Sequence, residues 1–154
     1  MEGPAEYLPH EAPMVLLDAV DLFDAEASVV ETSVKICEDN LFFDRFIGGV
    51  PNLLALEYMA QTIGCFAGLA DRAKDPNFKQ ELGFVLGARR MKLLIDKFEE
   101  GKTYKVKAVK LFFDEEMASF DCSIFDEAGA LCANAILTVY RPKDIKKLEF
   151  LKDG

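Results

Sequence analysis

Residues 52–72 read NLLALEYMAQTIGCFAGLADR, and this stretch decides the fold. Nearly every position is apolar or small, and Glu57 is the only charged residue before Asp71. Asn52 directly follows Pro51, which makes Asn52 a plausible N-cap. A run of this length that is apolar on nearly every side predicts a helix buried inside the protein.

A membrane span is the alternative for the same stretch. A membrane span needs roughly 18 or more apolar residues with few polar ones. Glu57, Gln61 and Thr62 interrupt the run, and its Gly and Ala positions suit close packing against a sheet. We therefore predict a core helix and no membrane partner.

The segments around the helix read mainly as β-structure. Proline brackets an extended entry at residues 8–24, in which MVLLDAV is either a short helical turn or a strand, and residues 40–52 read as a loop. Alternation and β-branched residues predict strands at 27–36, 82–95, 102–113, 116–125 and 130–141. The short turns KFEEG, DEE and DEAG predict that the last four strands form consecutive antiparallel hairpins. One long helix against an antiparallel sheet of five to six strands is an α+β architecture.

Composition limits the function classes. The chain has 154 residues and a mass of 17.2 kDa, which predicts one domain over residues 1–154. Its net charge of −9 argues against nucleic acid and anionic membrane as partners. Four cysteines without a CxxC pair, and a single histidine, provide no zinc set, so we expect no metal and reduced thiols. The acidic, proline-broken N-terminus lacks signal-peptide features, which predicts a cytoplasmic protein.

Glu57 is the leading candidate for chemistry. Burying a carboxylate in an apolar helix is costly unless the carboxylate is partnered or protonated, and such sites suit general acid–base work. Gln61 lies at i+4 on the same face and could hold the carboxyl group. The alternative is that Glu57 lies on a narrow exposed stripe or at a dimer interface without chemistry.

Two further features could contribute to a site. His10 is the only histidine, so any imidazole from this chain must be His10, although a histidine in a proline-rich loop is more often structural or solvated. The backbone N–H groups of Asn52 and Leu53, at the helix start, could form an oxyanion site. The alternative is an ordinary capped helix start.

Positive charge is concentrated in residues 86–110. Eight lysines and arginines, including Arg89 and Arg90, stand there against three carboxylates. Such a region could steer an acidic partner, or it could consist of solvated strand faces and edge lysines that prevent aggregation.

These segments together resemble the hotdog-fold 3-hydroxyacyl-[acyl-carrier-protein] dehydratases. LPHEAPMVLLDAV resembles the opening motif of that family, and VPNLLALEYMAQTIGCFAGL resembles its central helix. GFVLGARRMKLLIDKFEEGKTYKV and GALCANAILTVY resemble later strands, and the motifs run in order over about residues 7–141. The GGVP entry and the GxxxGxRR-like strand are most similar to the dehydratase-like proteins of aryl polyene pathways.

The resemblance implies a hotdog dimer with active sites at the interface. It implies a hydro-lyase that removes or adds water on a 3-hydroxyacyl thioester of a carrier protein or of coenzyme A, without a cofactor. Glu57 and His10 are the implied catalytic residues. The implied substrate-binding residues are Gln61, Asn52, Leu53, Pro51, Gly49 and Phe43. Arg89 and Arg90 are the candidates for docking an acidic carrier protein.

One departure from the family leaves alternatives open. Ordinary members carry a Gly-His-Phe-Pro motif before the helix, whereas this chain has NLFFDRFIGGVPN, without histidine, and has Asn52 where the family has glycine. His10 matches a histidine at the tunnel mouth of ordinary members. The chain is therefore expected to be a dehydratase using Glu57 with His10, a non-catalytic or partner-dependent subunit of a homodimer or heterodimer, or a thioesterase. The Phe42, Phe43 and Phe46 cluster is expected to line an acyl tunnel.

Overall fold

The computed structural model of the chain describes residues 3–4, 15–74, 84–113 and 116–140. The described part contains one long helix, α1 (Ala55–Lys74), which follows a 3₁₀ turn at Asn52–Leu54. The strands are β1 (Ala19–Asp24), β2 (Val29–Lys35), β3 (Gly49–Pro51), β4 (Phe84–Leu93), β5 (Lys97–Glu99), β6 (Thr103–Phe113), β7 (Met117–Phe125) and β8 (Leu131–Tyr140).

Six of these strands form one antiparallel sheet in the order β1-β2-β6-β7-β8-β4. Residues in register share a face, so Val106, Ile124 and Ala133 lie in one row across the sheet. All three side chains are buried, whereas the neighbouring Lys105, Ser123 and Asn134 are more exposed. The sheet therefore has one face toward the core, as the alternating sequence predicted.

Helix α1 covers this inner face, mainly over β2, β6 and β7. Edge-to-face aromatic contacts tie the layers together: Phe66 on the helix meets Phe120 on β7 and Phe23 on β1, each with ring centroids 5.5 Å apart. Tyr58 meets Phe98 on β5 in the same way, at 5.2 Å. This is the predicted α+β architecture of a helix against a six-stranded antiparallel sheet.

The apolar helix has the length and composition of a membrane span over Asn52–Asp71. Half of that window is buried inside the protein, against the sheet. The stretch therefore serves as a core helix, in agreement with the sequence-based expectation.

The second sheet is a two-stranded ribbon that the sequence analysis missed. β3 pairs with β5, with Gly49 opposite Glu99 and Pro51 opposite Lys97. A Cβ atom on Gly49 would lie 2.1 Å from the carbonyl oxygen of Phe98, so only glycine allows the two strands to approach this closely. The residues KFEEG, expected to be a turn, contain β5 and the turn that follows it.

One further expectation was wrong. β4 does not form a hairpin with β6, because β4 pairs with β8 at the far side of the sheet. The pairing of distant strands is decided by long-range packing rather than by the local pattern. The segment at residues 8–24, in which a strand was one of two expected structures, ends in β1, and β1 forms a hairpin with β2.

Candidate functional site

Glu57 lies in the first turn of α1 and is half-buried. The first turn of a helix carries N–H groups without intrahelical acceptors and the positive end of the helix dipole. Both stabilise a carboxylate, so the position of Glu57 lowers the cost of placing its charge among apolar residues. The sequence analysis put Glu57 farther inside the helix because the 3₁₀ turn was not foreseen.

A chain of hydrogen bonds fixes the orientation of Glu57. The Gln61 side-chain nitrogen Nε2 donates to Glu57 Oε1 at 3.1 Å, and Gln61 Oε1 accepts the backbone N–H of Leu16 at 2.8 Å. Gln61 is completely buried, and these two hydrogen bonds use both ends of its amide. The predicted i+4 pair is therefore present, with a main-chain anchor that lies 45 residues away in sequence.

A second buried hydrogen-bond chain holds the same part of the helix on the sheet. The Thr62 hydroxyl donates to the carbonyl oxygen of Tyr58 at 2.8 Å. Because Thr62 has one hydroxyl proton, the 2.8 Å contact with Thr32 on β2 is donated by Thr32. The two threonines are fully buried, so this contact locks α1 to β2 one turn beyond Glu57.

Asn52 has a different role from the one predicted. Pro51 occupies the N-cap position and no side chain caps the 3₁₀ turn, so Asn52 is not the N-cap. The Asn52 amide instead donates to the carbonyl oxygen of Ile95 at 3.0 Å, which connects the helix start to the segment after β4. The bond partner could not be found by local sequence rules because the two residues are 43 positions apart.

The other predicted site residues fall into three groups. Gly49 is buried in β3, and Phe43 packs against the core. Leu53 is 65% exposed at the helix start. Phe46 is fully exposed, so the expected cluster of Phe42, Phe43 and Phe46 does not line an enclosed tunnel within the part of the chain that the structure describes. His10 lies outside the described residues.

The basic stretch does not form one patch. Arg89 and Lys92 lie on β4, whereas Lys105 and Lys107 lie on β6, and strands β7 and β8 separate the two. Asp121 on β7 lies in the row of Arg89, in register with Ile136 between them. The basic residues therefore lie on separate strands, and the carrier-docking candidates Arg89 and Arg90 stand on β4, which is an edge strand among the described strands.

A cavity of about 280 Å³ lies beside β5, away from the Glu57 hydrogen bonds. Its lining is Leu94, Ile95, Asp96, Lys97, Glu99, Lys102, Tyr104, Asp126 and Cys132. Burial raises the pKa of the Tyr104 hydroxyl and of the Cys132 thiol, so both stay protonated near neutral pH. Within the described ranges, no group of three or more His, Cys, Asp or Glu side chains is placed to hold a metal ion.

Comparison with known proteins identifies the family. The sequence model of the ApeP-like family, described as ApeP dehydratase, matches residues 3–150. The chain belongs to the ApeP-like dehydratase family. A chain of the dehydratase heterocomplex ApeI:P from Xenorhabdus doucetiae is similar to it, with 28% identity, a TM-score of 0.87 and coverage of 98% of both chains.

More distant structures share the fold. The E. coli PaaI protein of the phenylacetic acid degradation operon is 7% identical, with a TM-score of 0.61, and the match covers 79% of this chain and 81% of that one. A hypothetical thioesterase from Streptococcus pneumoniae, solved with coenzyme A, is 11% identical, with a TM-score of 0.59 and coverage of 79% and 82%. These likenesses confirm the hotdog fold.

The ApeP-like assignment confirms two expectations of the sequence analysis. The resemblance to hotdog dehydratases, and to the aryl polyene group in particular, is confirmed. The expected reaction class, a hydro-lyase, is confirmed by the same comparisons. The thioesterase alternative gains nothing beyond a shared fold, because its representatives are too distant in sequence to carry function.

Proposed function

We propose that this ApeP-like chain works with a second, different hotdog subunit to dehydrate 3-hydroxyacyl thioesters in the cytoplasm. The observation that carries the proposal is the Glu57–Gln61–Leu16 hydrogen-bond chain, which holds a carboxyl group in one orientation at a helix start. A general acid or base must be fixed close to its proton to be effective. The four cysteines are free, which suits a reducing compartment.

In the proposed reaction, the C2–H and C3–O bonds break, a C2–C3 double bond forms and water leaves. Glu57 and an imidazole divide the two proton transfers: one of the two groups removes the C2 proton, and the other protonates the departing C3 hydroxyl. His10 is the imidazole that this chain can offer, and a histidine of the second subunit is the alternative. The N–H groups at the 3₁₀ turn, including those of Asn52 and Leu53, polarise the thioester carbonyl while Gly49 and Pro51 shape the approach.

The second subunit is supported by the edge of the sheet. β4 pairs with β8 on one side only among the described strands, and its side chains from Val85 to Lys92 are all exposed. Such an edge favours pairing with another chain. Bulges between Val85 and Gly87 and between Arg89 and Lys92 divide the strand into short regular runs, so side-chain contacts must contribute to any pairing.

The acyl group is proposed to arrive on an acidic carrier protein. Arg89 is in register with Ile136, so it lies on the face of the sheet turned away from α1, together with Lys92 opposite Asn134. A carrier could dock on this face while the second subunit occupies the edge. Replacing Arg89 with Glu is expected to weaken carrier binding at low salt and to have little effect at high salt, as measured by titration calorimetry; equal binding at low salt would contradict the docking role.

The reaction is tested by mass spectrometry of a 3-hydroxyacyl carrier-protein substrate. The protein is assayed alone and together with the ApeI subunit of the Xenorhabdus doucetiae heterocomplex. Loss of one water, about 18 Da by the stoichiometry of dehydration, is the expected result. Release of free acid and carrier thiol would show a thioesterase instead, and an unchanged substrate mass in both samples would show that the chain does not contribute to dehydration.

The imidazole is assigned with one variant in the same assay. If His10 serves, His10→Ala abolishes water loss by the complex while the complex still forms. If the second subunit supplies the imidazole, His10→Ala retains turnover, and the assignment of His10 is wrong.

A further inference from the structure

Four exposed apolar side chains form a surface next to the helix start, which we call the Phe46 arc: Phe46, Ile47, Leu53 and Leu94. Phe46 is fully exposed, Leu53 is 65% exposed and Leu94 is 58% exposed. Two hydrogen bonds bring their segments together. Lys97 Nζ donates to the carbonyl oxygen of Ile47, and the Asn52 amide donates to the carbonyl oxygen of Ile95.

The loop that carries Phe46 is held in place by its own hydrogen bonds. Asp44 Oδ1 accepts the N–H of Phe46 at 2.9 Å, and the Asp44 carbonyl oxygen accepts the N–H of Gly48 at 3.0 Å. The Asp44 N–H in turn donates to the carbonyl oxygen of Gly49 at 2.8 Å. Because the loop is already ordered, little conformational entropy is lost when the Phe46 ring is covered.

The shape and charge of the arc exclude two possible occupants. An acyl chain binds in a concave site, whereas the Phe46 ring stands wholly in solvent. The segments that carry the arc, residues 38–53 and 94–97, contain more negative than positive charge, which would repel an acidic carrier protein. Their charged residues are the carboxylates Glu38, Asp39, Asp44 and Asp96 and the cations Arg45 and Lys97.

A second copy of the chain also fits poorly. A protruding phenyl ring needs an apolar socket, but the cavity beside β5 is lined by five charged residues. Two copies would each carry a net charge of −9, so they would repel one another. Both observations favour a partner with a different sequence and less negative charge.

We propose that the Phe46 arc docks a different hotdog subunit, with the Phe46 ring as the anchor that enters an apolar socket on that subunit. The arc adjoins the end of β4, so one partner could cover both the arc and the sheet edge. This inference rests on the proposed function, because it names the surface by which the second subunit binds. It explains how an ordered loop without a histidine could serve an active complex by recruiting the partner.

The test measures binding of the ApeI subunit of the Xenorhabdus doucetiae heterocomplex by calorimetry and the oligomeric state of the chain alone by sedimentation. The wild-type chain alone is expected to be monomeric and to bind ApeI. Phe46→Ser is expected to weaken that binding about thirtyfold, as loss of an interface anchor does. The matched control is Leu111→Ser, which removes an apolar side chain that is 54% exposed on β6, far from the arc in sequence; it is expected to bind as the wild type does.

Three results would overturn the docking proposal. These are unchanged ApeI binding by Phe46→Ser, no binding by the wild type, and a homodimer of the wild type that Phe46→Ser dissociates. Far-ultraviolet circular dichroism and urea unfolding confirm that both variants are folded. Turnover is measured separately: a complex that depends on Phe46 but releases no water would contradict the proposed reaction and support the docking surface, and turnover that is independent of Phe46 would do the reverse.

Discussion

At the scale of single residues, the site is organised by two hydrogen bonds of the Gln61 side chain, one to Glu57 and one from the backbone N–H of Leu16. The i+4 spacing of Glu57 and Gln61 could be predicted because helical geometry alone puts them on one face. The anchoring N–H of Leu16 could not, because it belongs to a segment 45 residues away and is a backbone group that no sequence pattern marks. The same is true of the Ile95 carbonyl oxygen that holds Asn52.

Replacing Gln61 with Met tests whether this residue positions Glu57. The change leaves the N–H of Leu16 without its side-chain acceptor, which is expected to lower the free energy of unfolding by about 1–3 kcal/mol. It also frees Glu57 from its held orientation, so kcat is expected to fall roughly ten- to a hundredfold, with a smaller change in KM. Urea unfolding and steady-state dehydration by the complex measure the two effects.

Met59→Leu is the matched control for Gln61→Met, because Met59 is fully buried on the same helix. A swap of similar volume costs less than about 1.5 kcal/mol and should leave kcat unchanged. If the two variants had equal kcat values, Gln61 would be a structural residue without a positioning role.

At the scale of the elements, long regular segments were predictable and short ones were not. The long apolar run predicts helix α1, and the long alternating runs predict strands β6, β7 and β8, because few other structures suit such patterns. β3 and β5 have three residues each, too few for a period to show. The pairing of β4 with β8 depends on how the sheet closes over the helix. The turn after β4 therefore led to the wrong prediction that β4 pairs with the next long strand, β6.

Gly49→Ala tests the close approach of β3 and β5. The added Cβ would lie 2.1 Å from the Phe98 carbonyl oxygen, so one strand must move and the ribbon must weaken. The expected loss is about 2 kcal/mol or more in the free energy of unfolding, in the range of overpacked sites. The matched control is Gly87→Ala, where no atom lies within 4 Å of the added Cβ and a change within about 0.5 kcal/mol is expected. Equal stability of the two variants would contradict the account of β3 and β5.

At the scale of the whole molecule, one face of the sheet buries the core, whereas the edge strand β4 and the Phe46 arc are exposed within the described residues. The core could be predicted from the sequence, because apolar residues that recur with the period of a helix or strand lie on its buried face. The exposed Phe46 arc could not be predicted in this way. From the sequence, a phenylalanine in a loop is expected to line a tunnel or to join the core. Only the fold shows whether its side chain faces the protein or the solvent. The separation of the basic residues by β7 and β8 likewise appears only when the strands are ordered in space.

The core also predicts how stability depends on pH. Burial raises the pKa of the Cys65 and Cys122 thiols to about 12 and raises that of the Tyr58 hydroxyl. The unfolded chain loses these protons at lower pH than the folded chain does, so stability is retained below about pH 9 and falls as pH rises toward 12. Each thiol contributes a slope of about 1.4 kcal/mol per pH unit in that range.

Urea unfolding at a series of alkaline pH values measures this slope. Cys65→Ala is expected to reduce the slope by the contribution of one thiol, whatever the cost of the change at neutral pH. A free energy of unfolding that stays constant from neutral pH to about pH 11 would contradict the burial of these thiols in the folded state.

The most direct test of the account is the rate of water loss from a 3-hydroxyacyl carrier-protein substrate by the assembled complex, compared between the wild type and Glu57→Gln. Glutamine keeps the shape of the side chain but cannot exchange the proton, and Glu31→Gln on β2 is the matched control for loss of one carboxylate. The account predicts that Glu57→Gln assembles normally and loses dehydration by at least about a hundredfold, while Glu31→Gln retains it. A complex with Glu57→Gln that dehydrates at the wild-type rate would contradict it.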